Sequence, residues 1–220
     1  MVEIELAGMR LQLRPEGCAY LPDARALLVA DAHLGKAHSF RRLGVPVPEG
    51  PTDETLDRLS AAVQATGARQ VVFLGDLLHS RHAQEAAAVA PVTRWRLQHT
   101  ALDLLLVRGN HDRHAGDPPA DWRVRAVDEP YTLGTLHLQH HPAAPAPGCY
   151  ALAGHLHPAV RLGGRGGDRL RLPCFHFGQQ TGVLPAFGSF TGGHLVQRRP
   201  GDRVFALADG RVVELPGAPG

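Results

Sequence analysis

Five apolar runs of strand length in this chain each lead into residues that can bind a cation or activate water. Residues 27–30 lead into Asp31-Ala32-His33, and residues 71–74 into Gly75-Asp76. Residues 104–107 lead into Gly109-Asn110-His111-Asp112. Residues 136–139 lead into His140-His141, and residues 150–153 into Gly154-His155-Leu156-His157. The repetition of strand then ligand constrains the fold more than any other feature. Five strand ends must converge on one place, and that place is expected to hold metal.

The intervening sequence supplies the rest of a fold. Residues 2–6 and 9–13 alternate around Gly8, the pattern of a hairpin or meander. Residues 18–21 form a further short strand. Pro46, Pro48 and Pro51 mark an irregular loop. A helix is predicted to start near Thr52 or Asp53, either of which can cap it. Leu56, Leu59 and Val63 share one face, and Gly67 stops it. Residues 82–99 read as a second helix, disturbed at Pro91. Strands alternating with helices argue for an α/β core. After residue 142 the character changes to short strands at 160–162, 170–172, 174–177, 194–197, 203–207 and 211–215, with a Gly-rich turn at 163–167. Strands without intervening helices suggest a second, mainly antiparallel sheet. The whole pattern predicts one α/β domain over residues 1–220, a two-sheet β-sandwich flanked by helices.

Composition excludes several classes. No apolar run is long enough to span a membrane, and the N-terminus lacks the pattern of a signal peptide, so a cytoplasmic location is expected. Cys18, Cys149 and Cys174 are far apart and odd in number, which argues for buried free thiols over a disulfide framework. A net charge of +2 is too small to establish a nucleic-acid partner. Of 23 basic residues only Lys36 is a lysine; arginine suits bidentate phosphate contacts, and a coding bias explains the excess as well.

The ligand types decide the chemistry. Asp, Asn and His offer oxygen and imidazole donors without thiolate, a mix that suits manganese, iron, zinc or cobalt. Asp31 and His33 are one residue apart, so on an extended strand both project the same way. The same holds for His155 and His157. Asp76 has two oxygens and can bridge two cations. A metal pair about 3.5–4 Å apart clamps a phosphate and holds a hydroxide between the ions. His111 would then donate to a phosphoryl oxygen or protonate the leaving group. Asp112 is read as orienting His111 or as capping its loop.

The ordered set D-x-H, G-D, G-N-H-D, H and G-H-x-H resembles the calcineurin-like metallophosphoesterase superfamily. That resemblance implies its fold and two divalent cations. Metal one would be held by Asp31, His33, Asp76 and His157, and metal two by Asp76, Asn110, His140 and His155. His111 would be the catalytic histidine, with Asp112 grouped beside it. His140-His141-Pro142 matches the family's His-x-Pro block and favours His140, with His141 as competitor. A closer resemblance, to the ligase-associated DNA damage response endonuclease branch, rests on Asp31 to Lys36, Phe40 to Gly50, Leu172-Pro-Cys-Phe175, Leu184-Pro-Ala-Phe187 and Phe190-Thr-Gly-Gly193. It implies a manganese-dependent phosphodiesterase or endonuclease acting on DNA in repair, by attack of metal-bound hydroxide. Implied partners are a DNA ligase, a helicase and an exonuclease. A small-nucleotide phosphodiesterase or phosphatase, a metal-bound scaffold in a repair complex and a homo-oligomeric state stay open.

Several residues keep two readings. His79 approaches substrate or caps a helix. Lys36, Arg41 and Arg42 hold a nucleic-acid backbone or form a solvated loop face. Arg161, Arg165, Arg169 and Arg171 make a basic hairpin or protect a sheet edge by charge. Phe187 and Phe190 are read as core or as a subunit contact rather than a base-stacking platform.

Overall fold

A computed structural model of the chain describes residues 1–48, 50–163 and 169–217. Val2–Leu6 (β1) and Met9–Leu13 (β2) pair antiparallel. Ala7 and Gly8 between them both have positive φ, 47° and 78°, the requirement of a two-residue turn that matches strand twist. Ala19–Leu21 (β3) and Ala26–Val29 (β4) continue the antiparallel run. The connections then lengthen and carry helices: Lys36–Arg42 (α1) and Pro51–Thr66 (α2), then Ala86–Gln98 (α3), then Asn110–Ala115 (α4). Gln70–Leu74 (β5), Asp103–Val107 (β6) and Val124–Val127 (β7) accordingly lie parallel to β4, completing a seven-stranded sheet in sequential order.

The second sheet contains Tyr131–Leu133 (β8), Leu136–Leu138 (β9), Tyr150–Ala153 (β10), Pro158–Gly163 (β11), Arg169–Phe177 (β12), Thr181–Val183 (β13), His194–Leu195 (β14), Arg203–Ala208 (β15) and Arg211–Glu214 (β16). Its main order is β14-β11-β12-β13-β10-β9-β8, with β15 and β16 branching from β12. Most of its pairs are antiparallel, as expected. The sheet is nonetheless mixed, because β10 runs parallel to both β9 and β13 and β11 runs parallel to β14.

Burial explains the layering. Along β4 and the residue after it, Leu28 and Ala30 face the second sheet and pack with Leu138, Leu152 and Phe175, while Leu27 and Val29 face the helices and pack with Leu56, Leu59 and Trp95. The strand alternation thus serves two cores, one between the sheets and one under α2 and α3. The helices cover the outer face of the first sheet.

Three expectations on elements are corrected. Helix α2 starts at Pro51 with Gly50 as its N-cap, so neither Thr52 nor Asp53 caps it; proline's fixed φ suits the first helical position. The predicted helix over 82–99 divides into a 3-10 turn, Arg81–Gln84, and α3, because Glu85 between them is extended. The two runs at 170–172 and 174–177 are one strand, β12, through Pro173. It pairs with β11 up to Pro173 and with β15 from Cys174 onward, so the proline sits where the partner changes. The proposed turn residues Gly164, Arg165, Gly166 and Gly167 lie outside the described residues.

Candidate metal centre

The five motif-bearing strands fall into two parallel groups. β4, β5 and β6 are adjacent in the first sheet, and β9 and β10 are adjacent in the second. Parallel neighbours end on the same side, so their C-terminal loops meet at one edge of the sandwich. The loops are then laced together. His33 N–H donates to Asp76 O (2.8 Å), Leu34 N–H to Leu77 O (2.8 Å) and Gly154 N–H to His140 O (3.2 Å). His155 N–H donates across the sheets to the Asp31 carboxylate, 2.9 Å from Oδ2.

Asp31 and His33 do not sit on extended backbone, contrary to the expectation from their spacing. Their φ values are 52° and 44°, and those of Asp76, His155 and His157 are 52°, 69° and 45°. Five of the nine non-glycine residues with positive φ among those described are therefore candidate ligands. Such conformations are costly for residues with a Cβ and collect where function requires them.

The side chains form two neighbouring sets. In the first, His33 Nε2 lies 3.3 Å from His157 Nε2 and 3.8 Å from Asp76 Oδ2, and His157 Nε2 lies 3.5 Å from Asp31 Oδ1. In the second, His140 Nε2 lies 2.9 Å from Asn110 Oδ1, 3.1 Å from His155 Nδ1 and 3.4 Å from Asp76 Oδ1. The two oxygens of Asp76 thus face different sets. Asp31, His33, Asp76 and His140 are buried, Asn110 and His157 are half-buried, and His155 is exposed.

The donor set fits divalent cations. His140 Nδ1–H donates to Leu74 O at 3.1 Å, which leaves an acceptor lone pair on Nε2. That lone pair faces the oxygens of Asp76 and Asn110, an arrangement of acceptors that a cation resolves. His33 Nδ1 is buried without a hydrogen-bond partner. Burial pushes the Asp76 carboxyl up to about 8 and drives His33 down to about 2 and His140 to about 4. Neutral imidazoles are the ligand form, and a bound cation restores the carboxylate that burial opposes.

The glycines of the motifs are explained by contact. A Cβ on Gly75 would lie 2.2 Å from His140 Nδ1, one on Gly109 2.3 Å from Asp76 Oδ1, and one on Gly154 2.7 Å from Asp31 Oδ2.

His111 and Asp112 separate in role. His111 Nδ1–H donates to His79 O at 2.7 Å, which directs Nε2 toward the site, 3.9 Å from Asp76 Oδ2. His79 also stacks on the His111 ring with centroids 5.0 Å apart. Asp112 stands behind the loops. Its Oδ2 accepts from Asp76 N–H (2.7 Å) and Gly109 N–H (2.9 Å), and its Oδ1 from Leu78 N–H (3.0 Å). The oxygens of Asp112, grouped with His111 in the sequence reading, are held by backbone N–H groups, so this side chain ties the G-D loop to the G-N-H-D loop.

His140 and His141 are also distinguished. His141 Nδ1 bonds Glu129 Oε1 at 2.7 Å, and Glu129 Oε2 accepts the backbone N–H of both histidines. His140 alone of the two reaches Asn110 and Asp76, although the His141 ring stays close to that of His155, 4.6 Å between centroids. Glu129 is the site-supporting residue that sequence reasoning missed. It belongs to no motif and precedes an ordinary-looking proline. Arg108 is occupied by Asp117 through two bonds, 2.7 and 2.8 Å. Arg41 donates to the carbonyls of Val47 and Pro48, and Arg42 pairs with Glu85 at 3.4 Å.

No family model matches the chain, and no curated protein matches it. Among solved structures it is similar to the Pseudomonas putida nuclease MPE, with 43% identity over 97% of this chain and 99% of that chain and a TM-score of 0.85. The chain belongs to the calcineurin-like metallophosphoesterases. A second similarity, to Yfce, a phosphoesterase from E. coli, has 16% identity, covers 86% of this chain and 97% of that chain, and reaches a TM-score of 0.42. As a metallophosphoesterase the chain is a hydrolase of phosphoric esters, and its α/β two-sheet fold is that of the family.

Proposed function

We propose that this metallophosphoesterase is a nuclease that cleaves DNA phosphodiesters at a dinuclear centre bridged by Asp76. The observation that carries the reading is the division of the Asp76 carboxylate, Oδ2 toward His33 and Oδ1 toward His140. Identity of 43% with a protein described as a nuclease supports a nucleic acid as the substrate, and the resemblance to the ligase-associated branch supports DNA. Asp31, His33, Asp76 and His157 would hold one cation. Asp76, Asn110, His140 and His155 would hold the other; this donor set accepts several divalent metals, and the resemblance to the ligase-associated branch favours manganese among them. Bound there, the pair supplies Lewis-acid polarisation of the phosphoryl oxygens and activates the attacking water.

The chain's own residues supply the rest. The carbonyl of His79 holds the Nδ1–H of His111 and so turns Nε2 toward the site; Nε2 donates to a phosphoryl oxygen or to the departing oxygen from the imidazolium form, in which both ring nitrogens carry protons. Asp112 and Glu129 hold the ligand loops in place without touching substrate. The resemblance of the flanking motifs to the ligase-associated branch supports a role in DNA repair, in company with a ligase, a helicase and an exonuclease.

The test is digestion of labelled single-stranded, nicked and duplex DNA with added manganese, beside Asn110→Ala and His111→Ala. Cleavage by the wild type and a loss of at least about a hundredfold in both variants is expected. Equal cleavage by wild type and variants would show a contaminating nuclease and remove the reading.

A further inference from the structure

Beside the ligand His33, a small concavity is bounded by Lys36, Thr52, Ser189, Phe190 and Thr191. Phe190 is 37% exposed, whereas Phe187 three residues earlier is 1% exposed and belongs to the core. A single exposed phenylalanine is ordinary on a protein surface. This one differs in how it is held and in what surrounds it.

The loop that carries it is fastened to the first metal motif. Phe187 N–H donates to Ala30 O (2.8 Å), Gly188 N–H to Asp31 O (3.1 Å) and Ser189 N–H to Thr55 Oγ1 (3.1 Å). A Cβ on Gly188 would lie 2.6 Å from Ala32 O, so glycine allows the close approach. The Phe190 ring meets Phe40 edge-on, 5.7 Å between centroids at 89°, and Phe40 lies 5.9 Å from His79, which stacks on His111. An aromatic wall therefore runs from solvent to the catalytic histidine. Lys36, the one lysine of the chain, extends its ammonium to 5.9 Å from the Phe190 centroid. It is half-buried and makes no ion pair among the described residues.

We propose that Phe190 and Lys36 form a subsite for an unpaired nucleobase and its flanking phosphate, next to the metal centre. The proposal rests on the nuclease reading and sharpens it. A flat apolar face stacks any base without reading its edges. An ammonium without a carboxylate partner suits a phosphate oxygen. A base inside a duplex already has both faces covered, so only a base freed from its stack can use the ring.

The experiment compares a single-stranded thymidine homopolymer with the same backbone stripped of every base, both with manganese. Wild type is expected to cleave the base-bearing strand with kcat/KM about tenfold or more above the abasic one. Phe190→Ala should lose that discrimination, Phe190→Trp should keep it, and melting temperatures should show all three folded. Lys36→Ala should weaken both strands by a similar factor. Equal cleavage of the two strands by wild type, or undiminished discrimination in Phe190→Ala, would overturn the stacking role. Unchanged KM in Lys36→Ala would overturn the phosphate role. If wild type cleaves neither strand but cuts duplex DNA, the subsite is overturned and the nuclease reading stands; if it cuts neither strand nor duplex or nicked DNA, the nuclease reading itself fails.

Discussion

At the residue scale, the motif positions divide into atoms that would face a cation and atoms that hold those atoms still. Gly109 belongs to the second kind. Its φ of −91° is open to any residue, so its glycine identity comes from the 2.3 Å approach of a would-be Cβ to Asp76 Oδ1. Gly109→Ala is therefore expected to displace the Asp76 carboxylate and lower diester hydrolysis by at least about tenfold, a loss in the range seen when groups supporting a metal site are disturbed. Steady-state rates across a manganese titration would check it. Asp112 is also of the second kind. Removing its carboxylate strands buried N–H groups of Asp76, Leu78 and Gly109. Asp112→Ala should cost about 3 kcal/mol, or roughly 6–12 °C in melting temperature for a chain of this size. Calorimetry reads that directly, and an unchanged melting temperature would refute the positioning role.

At the element scale, parallel strand pairs bring the candidate ligands together, and the strands before them were legible in the sequence. The apolar runs before each motif are correctly placed to within a residue, because a buried strand needs such a run and the ligands mark its end. Their meeting at one edge follows from the parallel order of β4, β5 and β6 and of β9 and β10. What was hidden has local causes. Helix α1 gave no signal because Lys-Ala-His-Ser-Phe-Arg-Arg is short, has no apolar stripe, and starts after Gly35 with no side-chain cap. The backbone of Asp31, His33 and His157 could not be foreseen, since positive φ at these residues is imposed by the loops and not by propensity. Strands β7, β8 and β13 are brief and lack a motif to mark them. The 3-10 turn before α3 is set by Glu85, whose carboxylate bonds His38 of α1 and His82 of the turn, each at 2.8 Å. Those bonds hold the Glu85 carboxyl down at about 2, from an ordinary 4.5. A depressed carboxyl contributes stability that is present above its unfolded value and is lost as pH falls toward its folded one. The advantage of wild type over Glu85→Gln should hold at pH 6 and shrink between about 4.5 and about 2. Chemical denaturation across that range measures it, and an advantage independent of pH would contradict the account.

At the scale of the whole molecule, two sheets packed on a shared core, with a second core under the helices, supply a rigid edge on which five loops can hold strained conformations and uncompensated acceptors. Helices α2 and α3 cover the outer face of the first sheet, while α4 begins in the motif edge itself with Asn110 and His111. No helix among the described residues is long and apolar enough to cross a membrane. Two unusual features of the site, positive φ at five candidate ligands and a carboxyl raised to about 8 at Asp76, are costs that a bound cation would offset. A cation that binds only the folded chain at a hundred times its dissociation constant adds about 2.7 kcal/mol of stability. The central claim is that Asp76 joins two cations in one hydrolytic centre. It is tested most directly by measuring bound manganese per chain after equilibrium dialysis, for wild type and Asp76→Ala, with bis-p-nitrophenyl phosphate hydrolysis followed in the same samples. The account predicts two manganese ions and turnover in wild type, and loss of both metal and turnover in the variant. Two ions retained with normal hydrolysis in Asp76→Ala would contradict it.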